Sequence, residues 1–116
     1  MILEGLSAAA LLWVAPATYG PVEPAPAVSS VWDAVAECES GGDWQTNTGN
    51  GYYGGIQWSA ESWEWWKDPD DPPRADLATP QQQIAAAERY VAWEREQGRG
   101  GFGPWPGCAR KLGLPR

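Results

Sequence analysis

Apolar residues recur at helical spacing in two stretches of the chain, and between them the pattern dissolves into glycines, aromatics and amides. In the first stretch Trp32, Val35, Ala36 and Glu39 share one face on a 3.6-residue period. Ser30, with Asp33 three residues later, is a capping-box pattern that starts this helix near Val31, and Gly41-Gly42 stops it. The second stretch opens on Thr79-Pro80-Gln81-Gln82, a capping threonine followed by proline at the first position and glutamine at the third. Its apolar stripe is Ile84, Ala87 and Val91, and Gly98 ends it. This is expected to be the longest helix, about eighteen residues, packed against the Val31 helix. A short helix capped by Ser59 runs through Ser62 and Trp63 to about Trp66. Lys67 to Arg74 (KDPDDPPR) must be a loop. Asn50-Gly51, just before Tyr52-Tyr53, is the strongest hairpin signal in the chain. The fold class that follows is α+β, mainly α, with a short β-hairpin.

Glu39 breaks the first pattern, because a carboxylate occupies a position on the apolar face. It sits in the last turn, beside apolar neighbours and near the negative end of the helix dipole. Both effects disfavour the ionised form, so its pKa should be raised, as a general acid near neutral pH requires. The competing reading is a solvated surface glutamate, which Glu37 fits well because it points off the apolar face. After Glu39 come six glycines and four aromatics within twenty residues, with Asn47, Thr48, Asn50 and Gln57 among them. Such a segment brings backbone close to a ligand and offers amides and ring faces. An acid facing that kind of groove suggests sugar chemistry.

Composition narrows the options. The 116 residues are 43% apolar and include nine tryptophans, eight of them between Trp32 and Trp105. Core packing suits Trp32, Trp93 and Trp105, whereas Trp44, Trp63, Trp65 and Trp66 are too many to bury together, so some should line a groove. The net charge of −7 divides into −11 over residues 1–88 and +4 over residues 89–116. An acidic body argues against nucleic-acid binding, and the basic end (Arg110, Lys111, Arg116) reads as a solvated tail over 110–116. There is no histidine, which excludes Ser-His-Asp and Cys-His nucleophiles and histidine-ligated zinc. Asp68, Asp70 and Asp71 lack the glycine and closing glutamate of a calcium loop, so no metal and no cofactor are expected. Leu6 to Ala15 is an apolar run followed by a small-x-small site, an export segment within 1–20; a mis-assigned start or a phage-encoded chain is the rival. Residues 21–30 read as a Pro/Ala linker. Nothing here spans a membrane stably. Two cysteines, Cys38 and Cys108, cannot build a zinc site, and in an exported domain a disulfide is favoured.

Several ordered fragments resemble the catalytic domain of resuscitation-promoting factors. They are Val31-Trp32-Asp33, Cys38-Glu39-Ser40-Gly41-Gly42, Trp44, Asn47 through Gly55, Gln57, Trp63, Pro73 through Thr79, Gln83-Ile84-Ala85, Ala87-Glu88 and Trp105 through Cys108. The resemblance covers residues 31–109. It implies a small lysozyme-like domain with one disulfide, Cys38 to Cys108, that cleaves the glycan strands of bacterial peptidoglycan. The catalytic acid falls on Glu39; Asn47, Tyr53, Gln57 and Ser62 face the sugars, and Trp63 shapes the cleft floor. The implied partners are peptidoglycan and a peptidoglycan endopeptidase, for a secreted or cell-wall monomer. The chain departs from the family at Ser59 (often aspartate), Ser62 (often threonine), Trp58 (more often phenylalanine) and in a longer stretch after Glu88. Asp43 and Glu61 are the nearest second carboxylates in sequence, and neither has a face argument for that role. The reading from a different class is a non-catalytic wall-binding or virion structural module. Asn47 has its own alternative, since it could simply satisfy hairpin backbone.

Overall fold

The computed structural model describes residues 30–116. In chain order these form α1 (Ser30–Ser40), β1 (Tyr52–Tyr53), β2 (Trp58–Ser59), α2 (Ala60–Trp66), a 3-10 turn (Ala75–Leu77), α3 (Pro80–Glu96) and α4 (Pro106–Leu112). The domain is α+β, mainly α, with one disulfide between Cys38 and Cys108. The expected export run and linker lie outside the described residues, as does the capping side chain of Ser30.

The face expected on α1 is buried at Trp32, Val35 and Ala36. Gly41 and Gly42 end the helix with φ of 70° and 85°, which turns their N–H groups back onto the carbonyls of Glu37 and Ala36. α2 starts on the Ser59 cap, whose hydroxyl accepts from the Ser62 N–H at 3.1 Å. α3 begins on the full Thr79–Gln82 capping box. Its deepest side chains are Gln83, Ala86, Ala87, Val91 and Glu94, so the buried stripe lies one position off the expected one at its start. Ile84 is only half-buried, and Gln83 takes the interior place.

Two packing expectations are corrected. α3 lies against α2, and the closest helical neighbour of α1 is α4; α1 and α3 are joined instead by a side-chain bond from the Trp32 indole N–H to Glu88 Oε2 at 2.6 Å. The anticipated basic tail is also structured. Pro106 and Gly113 (φ 72°) bound α4, and Leu114 N–H and Pro115 C=O bond back to Ala109 O and Phe102 N–H. Arg110 and Lys111 are therefore exposed helix residues. The core is built from rings: Trp32 packs on Phe102 at 5.3 Å and Trp105 at 5.1 Å, and Trp58 meets Trp63 and Trp105 edge-on. Trp93, expected inside, is 41% exposed.

The hairpin turns at Gly54–Gln57, after β1, and not at Asn50-Gly51, which bends the chain into β1. Asn50 accepts the Tyr52 N–H on its side chain, so it closes a local turn. Three side chains from elsewhere pin the Gly54–Ile56 backbone. Gln83 Oε1 accepts the Gly55 N–H at 2.9 Å, and its Nε2 donates to Trp44 O at 2.8 Å and Ala78 O at 3.1 Å. The Ser40 hydroxyl donates to Gly55 O at 2.8 Å, and Trp105 Nε1 donates to Ile56 O at 2.9 Å. Neither glycine tolerates a side chain: a Cβ at Gly54 would run into the Gln83 amide, and one at Gly55 into the Trp44 ring.

Gln83→Leu would orphan the Gly55 N–H and the Trp44 and Ala78 carbonyls in a site where Gln83 is 0% exposed. Each buried orphan costs about 1–3 kcal/mol, so urea unfolding should show a loss of at least about 3 kcal/mol.

Candidate active site

Glu39 sits in the last turn of α1, between Cys38 and Ser40. The Cys38–Cys108 bridge ties its preceding residue to α4, and the Ser40 hydroxyl ties its following residue to the hairpin turn. The carboxyl is thus held from both sides by bonds that cross the domain. It faces a cavity of about 480 Å³ lined by Cys38, Tyr52, Gln57, Trp105 and Lys111, among others. Among the described residues Glu39 is the single carboxylate that lines that cavity. Burial pushes its pKa up from the ordinary 4.5. Among the described residues no cation forms an ion pair with Glu39 to offset the burial.

Gln57 hangs over the same cavity at the end of the hairpin turn. Its φ of 57° is left-handed, which for a residue with a side chain costs roughly 1–2 kcal/mol. The turn's pinned backbone imposes it. The Gln57 amide donates to Gly54 O at 3.1 Å and accepts from Asn50 Nδ2 at 3.3 Å, so its orientation is fixed. Beyond Gln57 the cleft continues past Tyr52, Trp58, Ser59, Pro104 and Trp105 to Ser62 and Tyr90.

The expected sugar contacts divide. Gln57 and Ser62 line the cleft. Asn47 is exposed and turned onto its own loop, where Oδ1 accepts the Gly49 N–H at 3.3 Å. Tyr53 packs against the core under the Arg74 guanidinium, 5.4 Å from its ring centroid. Its neighbour Tyr52 is the one that lines the cleft. Adjacent strand residues point to opposite faces, so only one of the two tyrosines can do so. Trp63 is buried beneath the cleft, edge-on to the lining Trp58, and donates its indole N–H to Pro72 O at 2.8 Å. Trp105, Pro104 and Lys111 were not anticipated as lining residues; the Pro106 helix start was the available signal, since it brings all three to one loop and helix.

Of the possible second carboxylates, Asp43 caps the Gln45 N–H with Oδ1 and borders a different surface hollow, and Glu61 lies at the far end of the cleft. Asp68 and Asp71 cap N–H groups within their own loop, and among the described residues no cluster of His, Cys, Asp or Glu could hold a metal. No helix among those residues is long and apolar enough to cross a membrane.

A half-buried acid at a helix foot therefore faces a cavity whose far wall includes the end of a pinned hairpin. The transglycosylase-like domain model matches residues 26–108, and the chain belongs to that family. Within it, the relatives are resuscitation-promoting factors. The chain is 43% identical over 109 residues to resuscitation-promoting factor Rpf1 of Corynebacterium glutamicum, an overlap of 94% of this chain and 53% of that protein. It is 48% identical over 82 residues to RpfB of Mycolicibacterium smegmatis, covering 71% of this chain and 21% of the relative. With Rpf of Micrococcus luteus the identity is 41% over 114 residues, covering 98% of this chain and 43% of the relative. The chain therefore carries a resuscitation-promoting factor domain and spans about half the length of Rpf1 or less of the other two.

The raised Glu39 pKa fixes a sign for stability. A carboxyl whose folded pKa exceeds its unfolded value contributes fully below the unfolded value, and the contribution is lost as pH rises through the folded one. Glu39→Gln removes that loss. Its Tm should exceed that of wild type at pH 7, and the two curves should converge below the ordinary carboxylate value of 4.5. Calorimetry across pH checks this.

Proposed function

We propose that this domain cleaves bacterial peptidoglycan at the β-1,4 bond between N-acetylmuramic acid and N-acetylglucosamine, with Glu39 as the acid. The observation that carries the reading is the one carboxylate of the cavity, whose burial keeps it protonated to higher pH. Glu39 gives its proton to the glycosidic oxygen as the C1–O bond breaks. Among the described residues no second carboxylate borders that cavity, so the two-carboxylate routes to retention or inversion lack a partner there. The muramic 6-hydroxyl then attacks C1 and returns its proton to Glu39, leaving a 1,6-anhydro end. Gln57 and Ser62 supply an amide and a hydroxyl for the N-acetyl and ring hydroxyl groups, and Tyr52 and Trp105 supply ring faces.

Ser59 does not count against this reading. It stands where relatives often have aspartate, and here it is the α2 cap, a duty serine and aspartate perform about equally well. The relatives named above come from bacteria, which favours a bacterial cell-wall setting over a phage or virion one. A monomer acting beside a wall endopeptidase belongs to the same proposal.

Purified wild type and Glu39→Gln are to be compared on labelled, insoluble peptidoglycan. The variant should lose at least about 10²-fold in cleavage while still pelleting with the wall. Mass spectrometry of wild-type products should show 1,6-anhydro muramic ends. Reducing ends alone would refute the intramolecular route, and equal product release by both proteins would refute the role of Glu39.

A further inference from the structure

Past Ser62 and Tyr90 the cleft does not end. The same two residues border a further hollow of about 320 Å³, whose other walls are Glu61, Trp65, Trp66 and Trp93. Trp65 is 77% exposed and Trp93 41%, an outlay of apolar surface that a small domain would otherwise bury. The shelf is rigid. Tyr90 stacks on Trp58 at 6.2 Å on the cleft side and on Trp66 at 4.9 Å on the shelf side, so an unbroken stack of rings runs from cleft floor to shelf. Arg89 donates twice to Trp66 O, and Arg99 covers one face of Trp93 at 5.4 Å while paired with Glu94. Tyr90 and Trp93 come from the second half of α3.

We infer that this shelf is a distal subsite for the same glycan strand, holding sugar rings beyond those in the Glu39 cavity. The inference rests on the glycan-cleaving reading of the cleft and extends it to this chain's preference for long strands. Sugar rings present a face of C–H groups that suits the electron-rich face of an indole, and Trp65 offers one open to solvent. The Ser62 hydroxyl and Glu61 carboxylate on the rim match sugar hydroxyls and amide N–H groups. The carboxylate-bearing stem peptide fits worse. The charge on the shelf wall is Glu61, and the neighbouring arginines are already engaged with Trp66 O and Glu94.

The test uses the full chain with Glu39→Gln, so that binding is read without cleavage, and peptide-free glycan chains of four and eight sugars as probes. Calorimetric titration should show the eight-sugar chain binding more tightly than the four-sugar chain. Adding Trp65→Ala should weaken eight-sugar binding roughly tenfold, to the four-sugar level, and Trp65→Phe should restore most of it. Eight-sugar affinity unchanged by Trp65→Ala would overturn the proposal. So would an effect confined to chains that carry stem peptides, or a dimer at titration concentrations that Trp65→Ala dissolves. Tight four-sugar binding with no length dependence would defeat the shelf alone. Failure to bind either chain would defeat the glycan cleft together with it.

Discussion

A turn of glycine backbone, Gly54 to Ile56, holds this domain's geometry together. It belongs to a two-residue-per-strand hairpin, which has little stability of its own in water. Its position comes from side chains on three other elements: Ser40 at the foot of α1, Gln83 inside α3 and Trp105 ahead of α4. Those bonds need close approach, and the absent side chains at Gly54 and Gly55 make room for the Gln83 amide and the Trp44 ring. The consequence reaches the cleft directly. With the turn fixed, Gln57 is driven into a left-handed backbone and lines the same cavity as Glu39. Strain of that kind persists where surrounding structure over-determines it.

The acid is fixed by the same logic from the other side. Cys38 and Ser40 flank Glu39, and each is bound to a distant element. The bridge closes a 70-residue separation, worth roughly 4 kcal/mol by loop entropy, a large share of the stability of a domain this size. Rings do the remaining packing. Trp32, Trp58, Trp63 and Trp105 are core residues, and Trp58 and Trp105 also wall the cleft. Core and binding surface are therefore one continuous aromatic body, which limits how far the cleft can move without unpacking the interior.

Much of this was legible in the chain, and what was not has specific causes. The helix starts at Ser59 and Thr79 could be read because capping is local chemistry. Glu39 stood out because a carboxylate on an apolar face is a conflict between levels, and such conflicts gather at functional sites. The phase of Tyr52 and Tyr53 could not be read, since a two-residue strand carries no alternation to count. Asn50-Gly51 misled for a related reason: its turn is real but leads into the hairpin and does not close it. The interior place of Gln83 could not be read from the α3 stripe, because its three partners are all backbone groups outside the helix. Trp93 was placed inside by hydrophobicity alone, and its face on α3 turns toward Trp66 and Arg99 at the surface. The basic end read as a tail because charge outweighed the Pro106 and Gly113 boundary signals in a short segment.

The central claim is that the fold keeps one carboxyl, at the base of α1, reluctant to lose its proton. Carbon-13 NMR titration of the glutamate side-chain carboxyls, with Glu39 assigned by comparison with Glu39→Gln, reads this directly. The account predicts that the Glu39 resonance titrates above the ordinary 4.5. A Glu39 midpoint at or below that value would contradict it.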